Sequence, residues 1–380
     1  MLEKIIVFLL AILIPMHYLG RALFYIDLLL IIVLFSYLFY KEIKISVFKK
    51  NYFIYSIFLF YLFALVINYF NPTIEFKDNI KLLFGLPIII YVTMYIFDLS
   101  NSSKDNFIFF EKVFFYLSSF ICMVVFFSFI LNIDIISSIK SLKLVKYHDW
   151  YYHSKQSLFA ISVVFYLNYY VRNKTFFNLL MLSFIYLGTF ASHSRTAIIT
   201  MAFATLVYFL YNIIEKRKLN LKIFFILSIL IIISALVVIE ISGNKIHNIN
   251  SFTSSRFNGW LLYLDLIFKD NTLLGYGLQG GVEIKNAGLL SFKHPHNAYI
   301  EALFTLGISG FLMLLLLTFF YLANIFKLDI RYDKGIAFTT FISIFINSQG
   351  IGTIWGFSSV LITIFLLYLS LIVVRLEENA

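Results

Sequence analysis

The chain has 380 residues, of which 61% are hydrophobic and 13% charged. Soluble domains carry about a quarter of their residues as Asp, Glu, Lys and Arg, so water is not the main solvent of this protein. The formal charge of +10 would suit a nucleic-acid binder if it were clustered on a soluble domain. Here the basic residues flank apolar runs, where topology and anionic lipid headgroups account for them, so membrane lipids and not nucleic acid are the expected partner.

Apolar runs recur along the whole length, with cores at 3–18, 23–40, 52–70, 82–98, 107–131, 157–171, 176–190, 197–214, 223–241, 298–326, 335–349 and 354–374. Each approaches the roughly 17–25 residues that cross a hydrocarbon core as a helix. The expected fold is therefore all-α, a polytopic membrane protein of about twelve transmembrane helices. A β-barrel is excluded, because its strands would alternate apolar and polar residues with period two. The run "MLEKIIVFLLAILIP" lacks a small-residue cleavage site and reads as a retained first span that doubles as insertion signal. The single cysteine, Cys122, lies inside an apolar run and permits neither an internal disulfide nor a Cys-based metal site.

Basic residues concentrate in "KEIKISVFKKN", "RNKT", "EKRKLNLK", "KLDIRYDK" and the tail "RLEENA". These segments alternate with a second set, comprising "PMHYLGR", "NPTIEFKDNIK", 132–156, "ASHSRT" and 242–297. The excess of Lys and Arg marks the first set as cytoplasmic and places both termini there. Within the second set, 132–156 ends in "KYHDWYYHSKQ", aromatic and His-rich as an interfacial belt would be. "ASHSRT" places Arg195 in the first turn of a span, after Ser192 and Ser194 as caps.

Segment 242–297 is the one large external loop, part of a single domain spanning 1–380. Inside it, "RFNGWLLYLDLIFKD" puts Phe257, Trp260, Leu261, Leu264, Ile267 and Phe268 on one helical face, which predicts a short helix lying on the membrane surface. "LLGYGLQGG" follows as a flexible turn. The loop ends in "HPHNAYIEALFTLGISGF", residues 294–311. Pro295 is suited to the first helical position, which puts His296 and Asn297 in the first turn. There the positive end of the helix dipole opposes protonation of His296, leaving a neutral ring able to act as a general base. Gly307 and Gly310 are spaced so that another helix can pack closely. A His–Asn pair capping an interfacial helix accounts equally well for this segment alone.

Arg195 taken singly snorkels to headgroups, and Arg256 anchors the surface helix. Both, however, begin helices on the outer face that carries His296, and arginine is the side chain best suited to forked binding of phosphate oxygens. Two arginines beside a neutral histidine suit displacement of a diphosphate leaving group.

"HN" at 296–297, nine residues, Gly307, two residues and Gly310 together resemble the H-[NSQ]-x9-G-x-x-G pattern of the O-antigen ligase family. "SHSRTAII" is similar to that family's Ser/Thr-x-Arg helix opening, and "SSRFNGWLLYLDLIFKDNTLLGYG" to its large-loop stretch, with Asn271-Thr272 where many members have proline. The resemblance implies a metal- and cofactor-independent glycosyltransferase of the bacterial inner membrane. It would move a glycan from undecaprenyl diphosphate to a lipid A-core acceptor on the periplasmic face, in lipopolysaccharide biosynthesis. By that resemblance His296 is catalytic. Arg195 and Arg256, with Lys81 in "DNIKLLFG", bind the diphosphate, and Asn297, His294, Gly307 and Gly310 support the site. An O-antigen polymerase, joining lipid-linked repeat units, shares the architecture. So does transfer of glycan to protein. A glycan or lipid transporter would carry charges buried at mid-bilayer, whereas the long runs here are nearly free of them.

The alternation of basic loops gives a direct expectation. Reporter fusions after Lys218 should read cytoplasmic and fusions near Lys285 periplasmic; the reverse pattern would end this topology.

Overall fold

A computed structural model of the chain describes residues 2–19, 21–39, 91–93, 95–99, 103–141, 143–147, 156–214, 256–270, 273–276, 297–327 and 334–348, with single positions near 59–66 and 363–371. Among the described residues the protein is helical, and the only β pairing is the isolated bridge between Ile133 and Lys146. The helices are α1 (Leu2–Leu19), α2 (Arg21–Phe39), α3 (Ser103–Leu131), α4 (Ile135–Ser141), α5 (Val163–Arg172), α6 (Phe176–Ala191), α7 (Arg195–Ile214), α8 (Arg256–Asp270), α9 (Ala298–Lys327) and α10 (Lys334–Ser348). A π-helical turn at Tyr95–Leu99 precedes α3, and a helical turn at 156–161 leads into α5.

Three of these are long and apolar enough to cross a membrane: Leu2–Leu19, Lys104–Leu131 and Ala298–Ile325. Four more are apolar but shorter, at Ala22–Leu34, Phe176–Ala191, Arg195–Tyr211 and Gly335–Ser348. The sequence-predicted cores from 3–18 to 335–349 coincide with these helices wherever the chain is described. The core at 223–241 lies outside the described residues, and those at 52–70, 82–98 and 354–374 are described only in part.

The helices pack through small residues and aromatic rings, because lipid supplies no hydrophobic force to drive them together. The most extensive contacts join α3 to α6, α1 to α2, α10 to α7 and α1 to α3. At the α3–α6 crossing the absent side chain of Gly188 lets the backbone of Cys122 approach; a Cβ there would stand 2.5 Å from the Cys122 carbonyl oxygen. Gln156 bridges the same crossing, its Nε2 donating to Thr189 Oγ1 at 3.0 Å and to Cys122 Sγ at 3.4 Å. Cys122 is therefore a small core residue, fully enclosed.

Side-chain contacts sort the helix termini into two ends of the bundle. At one end Asn106 reaches Glu3 (3.4 Å), and Glu111 accepts from Asn168 (2.9 Å) and Arg172 (2.8 Å). There too Tyr116 donates to Asn178 (2.7 Å). At the other, Tyr18 packs on Phe159, Phe129 on both Tyr147 and His193, and Asn347 donates to Thr200. The segments 132–147 and 192–194 and the starts of α7 and α9 thus share one end. That grouping matches the second set of loops in the sequence, whose assignment to the periplasm comes from the pattern of basic loops.

Segment 132–147 is held by its own contacts, and most of the aromatic stretch that follows it, 148–155, lies outside the described residues. Asp134 caps α4, accepting from Ser137 N and Ser137 Oγ, both at 2.8 Å, and Tyr147 is buried, donating to Ala191 O at 2.5 Å. The long runs are also less free of buried charge than their composition implies. Asp27 in α2, Glu111 in α3 and Glu301 in α9 are all enclosed, and both carboxylate oxygens of Asp27 lack a hydrogen-bond partner.

The Gly188 contact sets a test of the core. Gly188→Ala must push α3 from α6 or distort one of them, and overpacking of this kind costs about 1–3 kcal/mol. The measurement is the midpoint of thermal unfolding in detergent, expected several degrees below wild type.

Candidate functional site

The start of α9 is fixed by a side chain. Asn297 precedes the first helical residue, Ala298, and its Oδ1 accepts from the amides of Tyr299 (3.0 Å) and Ile300 (3.2 Å). Its own carbonyl accepts from Glu301 N at 2.8 Å. Asparagine is among the best N-cap residues because its short side chain satisfies amides the helix leaves unpaired. The expectation that Pro295 opens the helix, with His296 and Asn297 in its first turn, is thereby corrected. Asn297 is the cap, and Pro295 and His296 stand before it in sequence. His294, Pro295 and His296 lie outside the described residues, as does Lys81.

Nearly three turns further, α9 breaks. Gly307 has φ 68° and ψ −166°, a conformation open in practice only to glycine. The reason lies in the segment 273–276. Leu273 and Leu274 press their backbone against Gly307, while Gly275, at φ 70°, lies against Phe304, Thr305 and the amide of Gly307. Tyr276 N donates to Phe304 O at 2.8 Å, and the Ser309 hydroxyl stands 2.9 Å from the carbonyls of both Leu273 and Leu306. The backbone groups at the break are satisfied by a neighbouring segment, as they must be at membrane depth.

Gly307 and Gly310 do not, then, form a helix-packing face. The small residue at 307 admits a loop backbone, and the space at Gly310 is filled by the Leu306 side chain of the same helix.

The helix leading into this loop, α8, docks on α9. Tyr263 and Ile267 are fully buried against Phe304, with Leu264, Leu266, Tyr276, Ile300 and Leu303 around them. The rings of Tyr263 and Tyr276 sit 4.7 Å and 4.9 Å from that of Phe304, and Tyr276 Oη donates to Leu266 O at 3.0 Å. On the apolar face read from the sequence, Ile267 and Leu264 pack toward α9, while Leu261 and Phe268 remain exposed, as on a face turned to the membrane surface. The protein-facing edge runs through Gly259, Tyr263 and Ile267 at helical spacing. Arg256 is the first residue of α8.

Arg195 opens α7 in the same way that Ala298 opens α9. Ser194 caps it, accepting from Ala197 N at 3.4 Å, with Ser194 O accepting from Ile198 N. Ser192 does not cap α7 but closes α6, donating to Thr189 O at 2.7 Å. Between them His193 adopts a left-handed conformation, φ 54°, over the ring of Phe129. The last turns of α10 bring the two helix starts to one end of the bundle. Asn347 donates to Thr200, five residues into α7, while Phe345 packs on Tyr299, two residues past Asn297.

Of the predicted residues, Arg195 and Asn297 are therefore placed at this end, with α8 starting at Arg256, while Gly307 and Gly310 lie deeper in α9. Two participants were not singled out from the sequence. Glu301 is 2% exposed, one turn below the cap, and Tyr263 faces it from α8. Burial raises the Tyr263 phenol above its usual range, and the neighbouring Glu301 carboxylate adds to the shift. The available signal was a glutamate interrupting an otherwise apolar run.

A helical membrane protein with a capped, broken helix is the class that the described residues define. Residues 176–315 match the O-antigen ligase family, the family that the sequence resembles. The matched segment runs from α6 through the start of α7 and the whole of α8 to the middle of α9. The match indicates an enzyme of the glycosyl-transferring type. A comparison with curated proteins gives no match.

The joined glycines yield a prediction. Gly307→Ala and Gly275→Ala each place a side chain on a left-handed backbone, costing of order 1–3 kcal/mol before any clash. Both should lower the unfolding midpoint and cut glycan transfer at least tenfold. Gly310→Ala, whose side chain would collide with the Cβ of Leu306, should lower the midpoint as well.

Proposed function

We propose that the chain transfers a glycan from an undecaprenyl-diphosphate carrier to a lipid A-core acceptor, on the periplasmic face of the bacterial inner membrane. The observation that supports this best is the joining of two matched motifs. The loop glycine Gly275 and the helix glycine Gly307 interlock, so the helix that begins at Arg256 and the helix capped by Asn297 are one unit inside the matched segment.

In this reading Arg195 and Arg256 hold the donor diphosphate in forked contacts at helix starts, with Lys81 adding charge. Neutralising the leaving group by arginine removes the need for a metal ion or other cofactor. His296, just ahead of the α9 cap, takes the proton from the acceptor hydroxyl as that oxygen attacks the anomeric carbon. The bond from that carbon to the diphosphate breaks, and undecaprenyl diphosphate leaves as the anion. His294 lies further from the cap and has no part in proton transfer. Asn297 gives its side-chain oxygen to the helix amides and so supports the site by fixing where α9 begins. The external loop at 242–297 and the membrane helices form a single domain, with both termini cytoplasmic.

The polymerase reading uses the same residues with a lipid-linked repeat as acceptor. The transporter reading is favoured by one observation, the enclosed Asp27 carboxylate in α2. Complementation of a ligase-deficient strain separates the three: glycan attached to lipid A-core, seen as a ladder on a gel, is the expected result. Longer lipid-linked glycan without attachment would assign polymerase activity instead.

The residue roles are tested with purified protein and a lipid-linked donor. His296→Ala should lose about 10²–10⁴-fold in turnover, the usual contribution of a positioned base, and His294→Ala should stay near wild type. Arg195→Lys and Arg256→Lys should both impair transfer, since a point charge lacks the fork. Full activity in both Lys variants, or a strict requirement for added divalent metal, would overturn the diphosphate assignment.

A further inference from the structure

We infer that the turn after α8 is a membrane anchor, in which Leu273 and Leu274 enter the outer leaflet and contact lipid acyl chains. In the sequence this turn belongs to the external loop, and its contact with α9 is what brings it to the bilayer. Leu273 and Leu274 press their backbone against Gly307, and the Ser309 hydroxyl stands 2.9 Å from the Leu273 carbonyl. Their depth is therefore the depth of the α9 break.

That depth follows from the length of α9. The helix ends at Lys327, in the basic segment "KLDIRYDK" whose charge belongs to the cytoplasmic side. A hydrocarbon core about 30 Å thick takes roughly twenty helical residues at about 1.5 Å each. Counting that many back from Lys327 reaches Gly307, so the break lies at the outer rim of the hydrocarbon. The side chains of α9 agree with this level. The enclosed polar groups Glu301 and Thr305 stand above the break, whereas 311–317, below it, reads "FLMLLLL".

At this rim the two leucines are uncovered, Leu273 being 72% and Leu274 58% exposed. Each leucine left in water forgoes about 1.5–3 kcal/mol of burial. They also join two apolar surfaces that already face away from the protein. Leu261 and Phe268 line one exposed edge of α8, just before the turn. Leu312 and Leu316 follow Ser309 on its own face of α9 and are exposed in their turn. The other exposed edge of α8 is polar, with Asn258 beside Asp265 and Lys269, the last two paired at 2.6 Å. A helix with one apolar and one polar exposed edge lies at a membrane–water interface. A single occupant, the acyl chains of the outer leaflet, thus covers the α8 edge, the turn and the α9 face together. Such an anchor fixes the height of α8, and with it the helix start at Arg256, relative to the lipid surface.

The experiment places a nitroxide on single introduced cysteines in the full chain, reconstituted into phosphatidylcholine–phosphatidylglycerol vesicles. It compares collisions with oxygen, which concentrates among acyl chains, against collisions with a water-soluble nickel chelate. Cys122 is fully enclosed and does not label in the folded protein. Leu273→Cys and Leu274→Cys are expected to favour oxygen, less strongly than Phe319→Cys on the exposed surface of α9. Their oxygen-to-nickel ratio should exceed that of Lys269→Cys, on the polar edge of α8, several-fold. All four side chains are exposed, so the labels should leave the unfolding midpoint near wild type. A nickel-dominated signal at 273 and 274 would put the turn in water and overturn the inference. Protection from both reagents would overturn it too, because the occupant would then be protein, such as a second copy of the chain. The vesicles contain no lipid-linked glycan, so contact with oxygen reports the bilayer and not a bound carrier.

Discussion

A break in a membrane helix must satisfy its own backbone. In a regular helix each carbonyl accepts from the amide four residues on, and with no water at hand an unsatisfied group costs several kcal/mol. At Gly307 the α9 ladder is interrupted, and the Tyr276 amide takes up the Phe304 carbonyl. Such a bond needs two backbones closer than side chains permit, which is why glycine stands on both sides of the contact, at 275 and 307. The placement of α8, and so of the helix start at Arg256, depends on this junction. So does the direction in which the first turns of α9 present Asn297 and Glu301.

The bundle supplies the other half of the site by simpler means. Antiparallel helices joined by short turns bring every second terminus to the same end, and the turn 192–194 does so for Arg195. Ser192 finishes one helix and Ser194 starts the next, so three residues reverse the chain with their polar groups satisfied. The burial of Tyr147 under that turn holds the 132–147 segment against it. Helix dipoles at the starts of α7, α8 and α9 then all present positive ends, an arrangement suited to an anionic substrate group.

Much of this was legible in the sequence, for reasons tied to particular residues. Apolar run length is set by the bilayer, so the helix cores from 3–18 to 335–349 could be placed closely where the chain is described. Ser194 and Asn297 are strong cap formers, and Arg195 next to one of them marked a helix start. The exact opening of α9 was misread because proline and asparagine both favour helix starts, two residues apart. The asparagine side chain prevailed by satisfying two amides that proline cannot. The apolar face of α8 was legible but its protein-facing edge was not, because hydrophobicity does not distinguish contact with protein from contact with lipid; of Tyr263 and Phe268 only the first is enclosed. Gly307 and Gly310 had helix-packing spacing, and nothing local revealed that a loop thirty residues earlier would fill the first of them. Glu301 was passed over because a single acid in an apolar run carries no pattern; its meaning comes from the cap one turn above. His296, His294 and Lys81 were read from motif and position and lie outside the described residues.

The chain between Tyr276 and Asn297 leaves and rejoins the same helix. One end is pinned by the Tyr276 hydrogen bond to Phe304 and the other by the Asn297 cap. The entropy of closing a loop grows only logarithmically with its length, so doubling it costs about 0.6 kcal/mol. Residues can therefore be added between the two anchors at little cost to the fold, with His296 kept next to the cap in sequence.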